Sequence, residues 1–367
     1  MKRVLILTGP GDLHAFAVAE AIKAKGSEAV IWYTGDFPGN ATESIKVADG
    51  QIDLRIDGFD FSLTNPDFDT VWRRRPFHVL PLETLHPADR RFAEAECTVF
   101  RRSLLDALSP RAFWVNRPDA AIRANRKLLQ QRAALECGLE IPATLYTNDP
   151  VAIRSFIQEH GGEVVFKTFR PMAWQDGTTA WQPYTSHLTE KKLVSDALLG
   201  AVPGIYQALI PKAFELRITV MGRCALSAKL LSQQTREGQL DWRKAYEEIV
   251  MEPFLLPPSI AACCFELLKK LDIVFGCFDF IVTPQGSYVF LEVNEMGQFL
   301  FVEDYAGLPL LEAFSEFLLS SSPDFEWSPG AMSLSYLSMK EHASRLAEKA
   351  VRHHTSLPDH SEWEEAK

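Results

Sequence analysis

Apolar and polar positions change period several times along the chain. The run RVLILT, the amphipathic segment DLHAFAVAEAIKAKG and the run EAVIWY predict strand, helix and strand, with Gly26 ending the helix. Such a unit is parallel α/β. The turn signals and alternation of VADGQIDLRIDG predict a small β element, and FDTVWRRRP enters a further strand. GPGD at Gly9 to Asp12 lacks the GxGxxG spacing and reads as a structural turn.

From Pro118 and Asp119 a helical period runs through Ala121, Ile122, Leu128, Leu129 and Ala133 and stops at Gly138. GLEIPATLYTND reads as a linker. Helix VAIRSFIQEHGG, strand EVVFKTF, a Trp-rich loop, helix TEKKLVSDALLG and strand GIYQALI follow. ELRITVMG and RCALSAKLL, with Gly222 in their connection, predict a hairpin. A polar loop, SQQTREGQLDWR, leads to helix PPSIAACCFELLKKLD and then to strands GCFDFIV and SYVFLEV, joined by PQG. Beyond Ser320 the chain turns polar, with a helix over SLSYLSMKEHASRLAEKAV and a charged, frayed end. These patterns divide the chain into an α/β unit at 1–117, α+β units at 118–210 and 211–320, and an extension at 321–367.

Composition narrows the class. At 367 residues, 47% hydrophobic and 23% charged, the chain has material for two or three cores and is not expected to be disordered. Charge or proline interrupts the apolar runs before they reach membrane-spanning length. MKRVLILTGPGD reads as strand and turn rather than signal peptide, so a cytoplasmic protein with no membrane partner is expected. Cys97, Cys137, Cys224, Cys263, Cys264 and Cys277 show no CxxC spacing and read as reduced thiols. The net charge of −10 argues against nucleic acid as a partner. Thr70 to Arg132 nevertheless holds 13 Lys and Arg against 6 Asp and Glu. That stretch suits nucleotide phosphate or an acidic peptide, or simply arginine-rich helix faces. His78, His86, His160, His353 and His354 are scattered and read as structural or surface residues.

The most informative stretch is GCFDFIVTPQGSYVFLEVNEMGQFLF, where Asp279, Glu292 and Asn294 interrupt an apolar run. Buried carboxylates require partners. A tight turn with Gln285 and Gly286 at its tip makes paired residue numbers sum to 571, setting Asp279 opposite Glu292. Asn294 shares the face of Glu292. Two carboxylates and an amide suit Mg2+, which is held by one or two carboxylates together with substrate phosphates and water. Lys127, Lys167, Arg217 and Arg243 lie upstream as phosphate-binding cations, Lys167 in the apolar context VVFKTF. No Ser-His-Asp or Cys-His arrangement competes.

The order of these elements resembles the ATP-grasp ligases, and the resemblance covers nearly the whole chain to about residue 320. It implies a pre-ATP-grasp α/β domain and two α+β subdomains holding ATP and Mg2+ between them. Lys127 and Lys167 then look like the lysines contacting phosphate and adenine. Gln207, Ala208 and Leu209 look like the adenine hinge, with Glu215 on the ribose. Arg217 and Arg243 look like the catalytic arginines, and Asp279, Glu292 and Asn294 the metal ligands.

Within that superfamily the strings VWRRRP, WVNRP, ANRKLLQQRAALECGLEIPATLYTND, ELRITVMG, DWR and FLEVNEMGQFLF resemble the microviridin- and marinostatin-type peptide maturases, or graspetide synthetases. The chain departs from their pattern where Glu295, not proline, follows Asn294. The resemblance implies a precursor peptide with a leader and a core of Ser, Thr or Lys with Asp or Glu, joined as esters or amides. It leaves room for a homodimer. Arg73, Arg74, Arg75, Trp174 and Trp181 are candidates for peptide contact, the two tryptophans equally for packing. The alternatives are a ligase of glutathione synthetase or ribosomal-protein glutamate ligase type, and a nucleotide-binding regulator. The complete set of acids and lysines argues against the regulator.

Overall fold

The computed structural model describes residues 1–169, 174–176, 179–181, 184–328, 330, 334–355 and 364–365. Strand β1 (Arg3–Thr8), helix α1 (Leu13–Ala24) and strand β2 (Glu28–Tyr33) form the expected parallel unit, with Gly26 at φ +73° beyond the helix. Strands β3 (Thr42–Ala48), β4 (Gln51–Asp57) and β5 (Ser62–Thr64) make a separate antiparallel sheet. Its first turn, Asp49 and Gly50, has positive φ at both residues, the hairpin geometry that an Asp-Gly pair favours. Strand β6 (Thr70–Arg73), helix α2 (Pro87–Ala107) and strand β7 (Phe113–Val115) complete a parallel sheet of order β2-β1-β6-β7. Alternate residues of β1 enter two cores: Val4 and Ile6 pack with α1, Leu5 and Leu7 with Trp32, Val71 and Leu104. Burial on both faces explains why the strand reads as an unbroken apolar run.

The single helix expected from Pro118 to Gly138 is two. Helix α3 (Pro118–Ala124) stops, Arg126 is extended, and α4 (Lys127–Glu136) restarts. Between them Asn125 donates its side-chain N–H to Glu295 Oε1 at 2.8 Å, a tertiary contact that the helical period does not reveal. The expected linker contains strand β8 (Thr144–Thr147). Helix α5 (Pro150–Glu159) and strand β9 (Val164–Lys167) follow as expected, and the Trp-rich loop carries a short hairpin, β10 (Trp174–Asp176) and β11 (Thr179–Trp181). Trp181 is half-exposed, while the Trp174 side chain lies outside the described residues. After β12 (Ser186–Leu188), the segment TEKKLVSDALLG forms a 3-10 turn and a short helix α6 (Asp196–Ala201), because Ser195 is extended. Strand β13 (Gly204–Ala208) closes the sheet β12-β9-β13-β8.

The hairpin β14 (Phe214–Met221) and β15 (Cys224–Leu230) forms as expected, whereas β16 (Met251–Phe254) arises between the polar loop and the next helix, where the pattern predicted no element. Helix α7 (Pro258–Leu271) leads to β17 (Phe275–Val282) and β18 (Tyr288–Asn294), giving the antiparallel order β16-β15-β14-β17-β18. One face of this sheet packs Leu216, Ile218, Phe278, Phe280, Phe290 and Val293 against Leu267 and Leu271 of α7. Its other face is apolar at one end, where Met221, Phe275 and Cys277 join the α1 core, and polar at the other.

Helices α8 (Leu300–Ala306), α9 (Leu310–Ser320) and α10 (Tyr336–Val351) lie on that apolar end. Two buried polar side chains cap them. His14 Nε2 accepts the N–H groups of Phe299 and Leu300 at 3.2 and 3.1 Å, and the Glu303 carboxylate accepts those of Leu311 and Tyr336 at 2.7 and 2.5 Å. The extension is thus built into the molecule, with Ala343, Ala347 and Ala350 in the core shared with α1. Its expected frayed end falls largely outside the described residues, except that Glu364–Glu365 form a strand, β19, parallel to β11. All six cysteines are free. Among the described residues no helix is long and apolar enough to cross a membrane.

Candidate functional site

The hairpin that raised the question of buried acids solves it with two irregularities that cancel. Near the tip Val282 pairs with Tyr288, one residue out of the expected register, because Gly286 adopts φ +87° in a wider turn. A bulge at Leu291 restores the register, so that Asp279 does lie opposite Glu292 and Cys277 opposite Asn294. The extra residue breaks the alternation of β18. Phe290 and Val293 both enter the core, while Leu291, Glu292 and Asn294 line a cavity on the other face.

Arg217 on β14 pairs across from Asp279, so Arg217, Asp279 and Glu292 form one row over three adjacent strands. Arg217 Nη1 donates to both oxygens of Asp279 at 2.9 and 2.7 Å, and Nη2 to the Gln298 carbonyl at 2.9 Å. Burial opposes the charge of Arg217, but the neighbouring Asp279 raises its pKa above the ordinary value. At the other end of the row, Lys127 at the start of α4 is ion-paired with Glu292. The helix break at Asn125 is what presents Lys127 there. Burial pushes Glu292 up, yet Lys127 outweighs it and brings the carboxyl to about 2. Asp279, buried beside Glu292, is raised despite Arg217. Asn294 donates to Glu292 Oε1 at 3.1 Å and to Asp279 Oδ2 at 3.4 Å, tying the three together. Gly297 permits this closeness, since a Cβ there would lie 2.6 Å from the Cys277 side chain and 3.0 Å from Arg217.

A cavity of about 990 Å³ spans the space between this sheet and the β9–β13 sheet. All eleven residues singled out in the sequence line it: Lys127, Lys167, Gln207, Ala208, Leu209, Glu215, Arg217, Arg243, Asp279, Glu292 and Asn294. Lys167 reaches it from the end of β9, and burial lowers its pKa. Arg243 is held by Asp241, its Nε and Nη2 donating at 2.8 and 2.6 Å, and the pair lowers Asp241 to about 2 against its burial. Glu215, raised by burial, accepts from Lys212 at 2.8 Å. The hinge differs from a set of open backbone donors. The Ala208 N–H donates to Ala143 O at 2.9 Å and the Leu209 N–H to Glu163 O at 2.8 Å. Neither of these two N–H groups is left to meet a ligand edge.

Sequence reasoning missed Lys212, Asp241, Asn125 and Arg126, which also line the cavity. Asp241 stands in the DWR string, and its spacing to Arg243 was the available signal. The lining holds eight cations and five acids. Each acid has its own cation: Lys127 with Glu292, Arg217 with Asp279, Arg243 with Asp241, Lys212 with Glu215, and Arg73 with Glu295 at 3.6 Å. Arg75, Arg126 and Lys167 remain, a positive surplus on an acidic protein. No cluster of three His, Cys, Asp or Glu among the described residues could hold a metal by itself. The two carboxylates and one amide are instead the partial donor set that Mg2+ completes with phosphate and water, and the residues fit that ion.

An antiparallel sheet carrying acids and arginines, facing a smaller lysine-bearing sheet across one cavity, is the ATP-grasp fold. No family model matches the sequence, and neither does any curated protein sequence. Solved structures do. A RiPP-associated ATP-grasp ligase of Chryseobacterium gregarium, in complex with ADP and a leader and core peptide, is 27% identical with a TM-score of 0.80. That match covers 88% of this chain and 98% of that one. Macrocyclase MdnC of Microcystis aeruginosa MRC, bound with precursor peptide MdnA, and macrocyclase MdnB of the same organism are each 30% identical. Their TM-scores are 0.75 and 0.74, and both matches cover 87% of this chain and 99% of theirs. The chain belongs to the ATP-grasp ligases of ribosomally made, post-translationally modified peptides, the family of these macrocyclases.

Proposed function

We propose that the protein is an ADP-forming ligase that crosslinks a precursor peptide, joining Asp or Glu side chains to Ser, Thr or Lys of the same peptide as esters or amides. The observation that carries this reading is the row Arg217–Asp279–Glu292 in a cavity whose acids are all paired and whose surplus charge is positive. A carboxylate is a poor acyl donor, so its oxygen first attacks the γ-phosphorus of ATP and ADP departs. The peptide hydroxyl or amine then attacks the acyl carbon, phosphate leaves, and the nucleophile loses its proton. Such catalysis consists mainly of positioning and charge stabilisation.

Lys127, Lys167, Gln207, Ala208, Leu209 and Glu215 are the residues we assign to ATP, with Lys167 on the phosphates and the hinge carbonyls on the adenine. Asp279, Glu292 and Asn294 would hold Mg2+, which when bound neutralises phosphate charge. Lys127 and Arg217 are ion-paired with Glu292 and Asp279. Arg217 and Arg243, each oriented by a carboxylate, stabilise negative charge developing on the transferred phosphoryl group and the acyl oxygen. ATP enters between the units at 118–210 and 211–320, and the reaction belongs in the cytoplasm, where ATP is supplied. The relatives do not favour joining to a small molecule or a protein C-terminus.

Incubation with ATP, Mg2+ and a short peptide rich in Ser or Thr and Asp or Glu, sought among the open reading frames beside the gene of this protein, tests the reading. Mass spectrometry should show one water lost per crosslink, matched by ADP. ADP formed without any loss of water from the peptide would oppose it.

A further inference from the structure

Strand β18 and the residues that follow it hold the ends of α3 and α4 at successive positions. At Glu292 the carboxylate pairs with Lys127. At Val293 the buried Gln130 side chain binds twice, its Nε2 donating to the Val293 carbonyl at 2.8 Å and its Oε1 accepting the Val293 N–H at 3.1 Å. The same Nε2 donates to the carbonyl of Ala124, the last residue of α3, at 2.8 Å. At Glu295 the carboxylate accepts from Asn125, which caps the end of α3. The break between the helices is therefore tied to β18 from both sides, and Lys127, the first residue of α4, takes its place from it.

Glu295 differs from the other anchors in its cost. It is 3% exposed, its ion pair with Arg73 is long at 3.6 Å, and its Oε2 has no hydrogen bond among the described residues. A buried carboxylate so poorly paired lowers stability, so packing does not account for it. Nor does the loop need this side chain to hold its course. The Glu295 carbonyl accepts from Asn116 at 3.1 Å, the Met296 and Gly297 carbonyls from Arg74 at 2.6 and 3.1 Å, and the Gln298 carbonyl from Arg217 at 2.9 Å. Those bonds fall on the backbone and would form around another residue, including the proline of the peptide-maturase pattern. The bond to Asn125 is what the carboxylate supplies. Asn125 is exposed, and Arg126, extended at the start of α4, gives that helix no side-chain cap, so no local group replaces the tie.

We infer that Glu295 is a positioning residue: through Asn125 it fixes the break ahead of α4 and so holds the Lys127 ammonium where it meets nucleotide phosphate. This role rests on the assignment of Lys127 to ATP made above.

The test is calorimetric titration of the full chain with ADP and Mg2+, without peptide. Lys127→Met sets the scale of the loss. Glu295→Ala and Asn125→Ala should each weaken ADP binding by about tenfold, and the two together should weaken it no more than either alone. Glu295→Gln keeps an oxygen for Asn125 and should stay within about twofold of the unsubstituted chain. On a Lys127→Met background, Glu295→Ala should add no further loss. Asn125→Ala alters an exposed side chain, so its effect is not one of folding. Affinity unchanged in Lys127→Met, Glu295→Ala or Asn125→Ala would overturn the assignment. So would a Glu295→Gln loss as large as that of Glu295→Ala, or losses that multiply with that of Lys127→Met. Any of these results can stand beside a successful water-loss assay, and the expected affinities can stand beside a failed one, so the two readings fail separately.

Discussion

At the scale of single residues, the site is a set of charges each balanced by a neighbour. Arg217 and Asp279 are both largely buried, and removing one strands the other. Arg217→Met should therefore cost about 3–5 kcal/mol of stability in urea denaturation, and Arg217→Met/Asp279→Leu should recover most of it. Both variants should be inactive, which separates the structural from the chemical share of the pair. Glu292→Gln removes charge but little volume, and should lower turnover by about two to three orders of magnitude while far-UV circular dichroism is unchanged. His14 works differently. It is neutral in the fold, since burial lowers its pKa well below the usual value and Nε2 accepts two backbone N–H groups. The unfolded chain binds this proton below about pH 6.5, so stability holds above that pH and falls beneath it by up to ~1.4 kcal/mol per unit from this residue. Denaturation midpoints between pH 5 and 8 should show that slope, and it should be shallower in His14→Gln.

At the scale of elements, most strands and helices were legible because their periods are strong, as in RVLILT and PPSIAACCFELLKKLD. What escaped was set by contacts distant in sequence. The break between α3 and α4 depends on Glu295, 170 residues from Asn125. The expected facing of Asp279 and Glu292 was met, though through a wider turn and a compensating bulge rather than one uniform ladder. The order of motifs picked out eleven residues that all line the cavity, whereas Lys212 carried no signal and Asp241 only its spacing to Arg243, since their contribution is to hold Glu215 and Arg243. Deleting Leu291 tests the bulge. The tip register would then run on unbroken, with Phe290 still opposite Phe280 and Glu292 still opposite Asp279. Calorimetry should therefore retain Mg2+-dependent ADP binding, and its loss would show that the bulge itself shapes the site. Leu291→Ala keeps the extra residue and should retain binding.

At the scale of the whole molecule, the parallel sheet β2-β1-β6-β7, the apolar end of the sheet β16-β15-β14-β17-β18 and the extension share one core. The sequence division at about 320 reflects a change in composition, which does not reveal that Ala343, Ala347 and Ala350 seat α10 on α1. Ala347→Asp should cost about 3 kcal/mol or more and lower the thermal midpoint of the protein. The central claim concerns the cavity between the two ATP-grasp sheets: a peptide carboxylate is activated there by phosphoryl transfer. The most direct measurement uses a precursor peptide with its Asp and Glu carboxylates labelled in both oxygens with oxygen-18, followed by mass analysis of the phosphate released. The account predicts one labelled oxygen in phosphate for each crosslink formed. Unlabelled phosphate, or label appearing in a nucleotide instead, would contradict it.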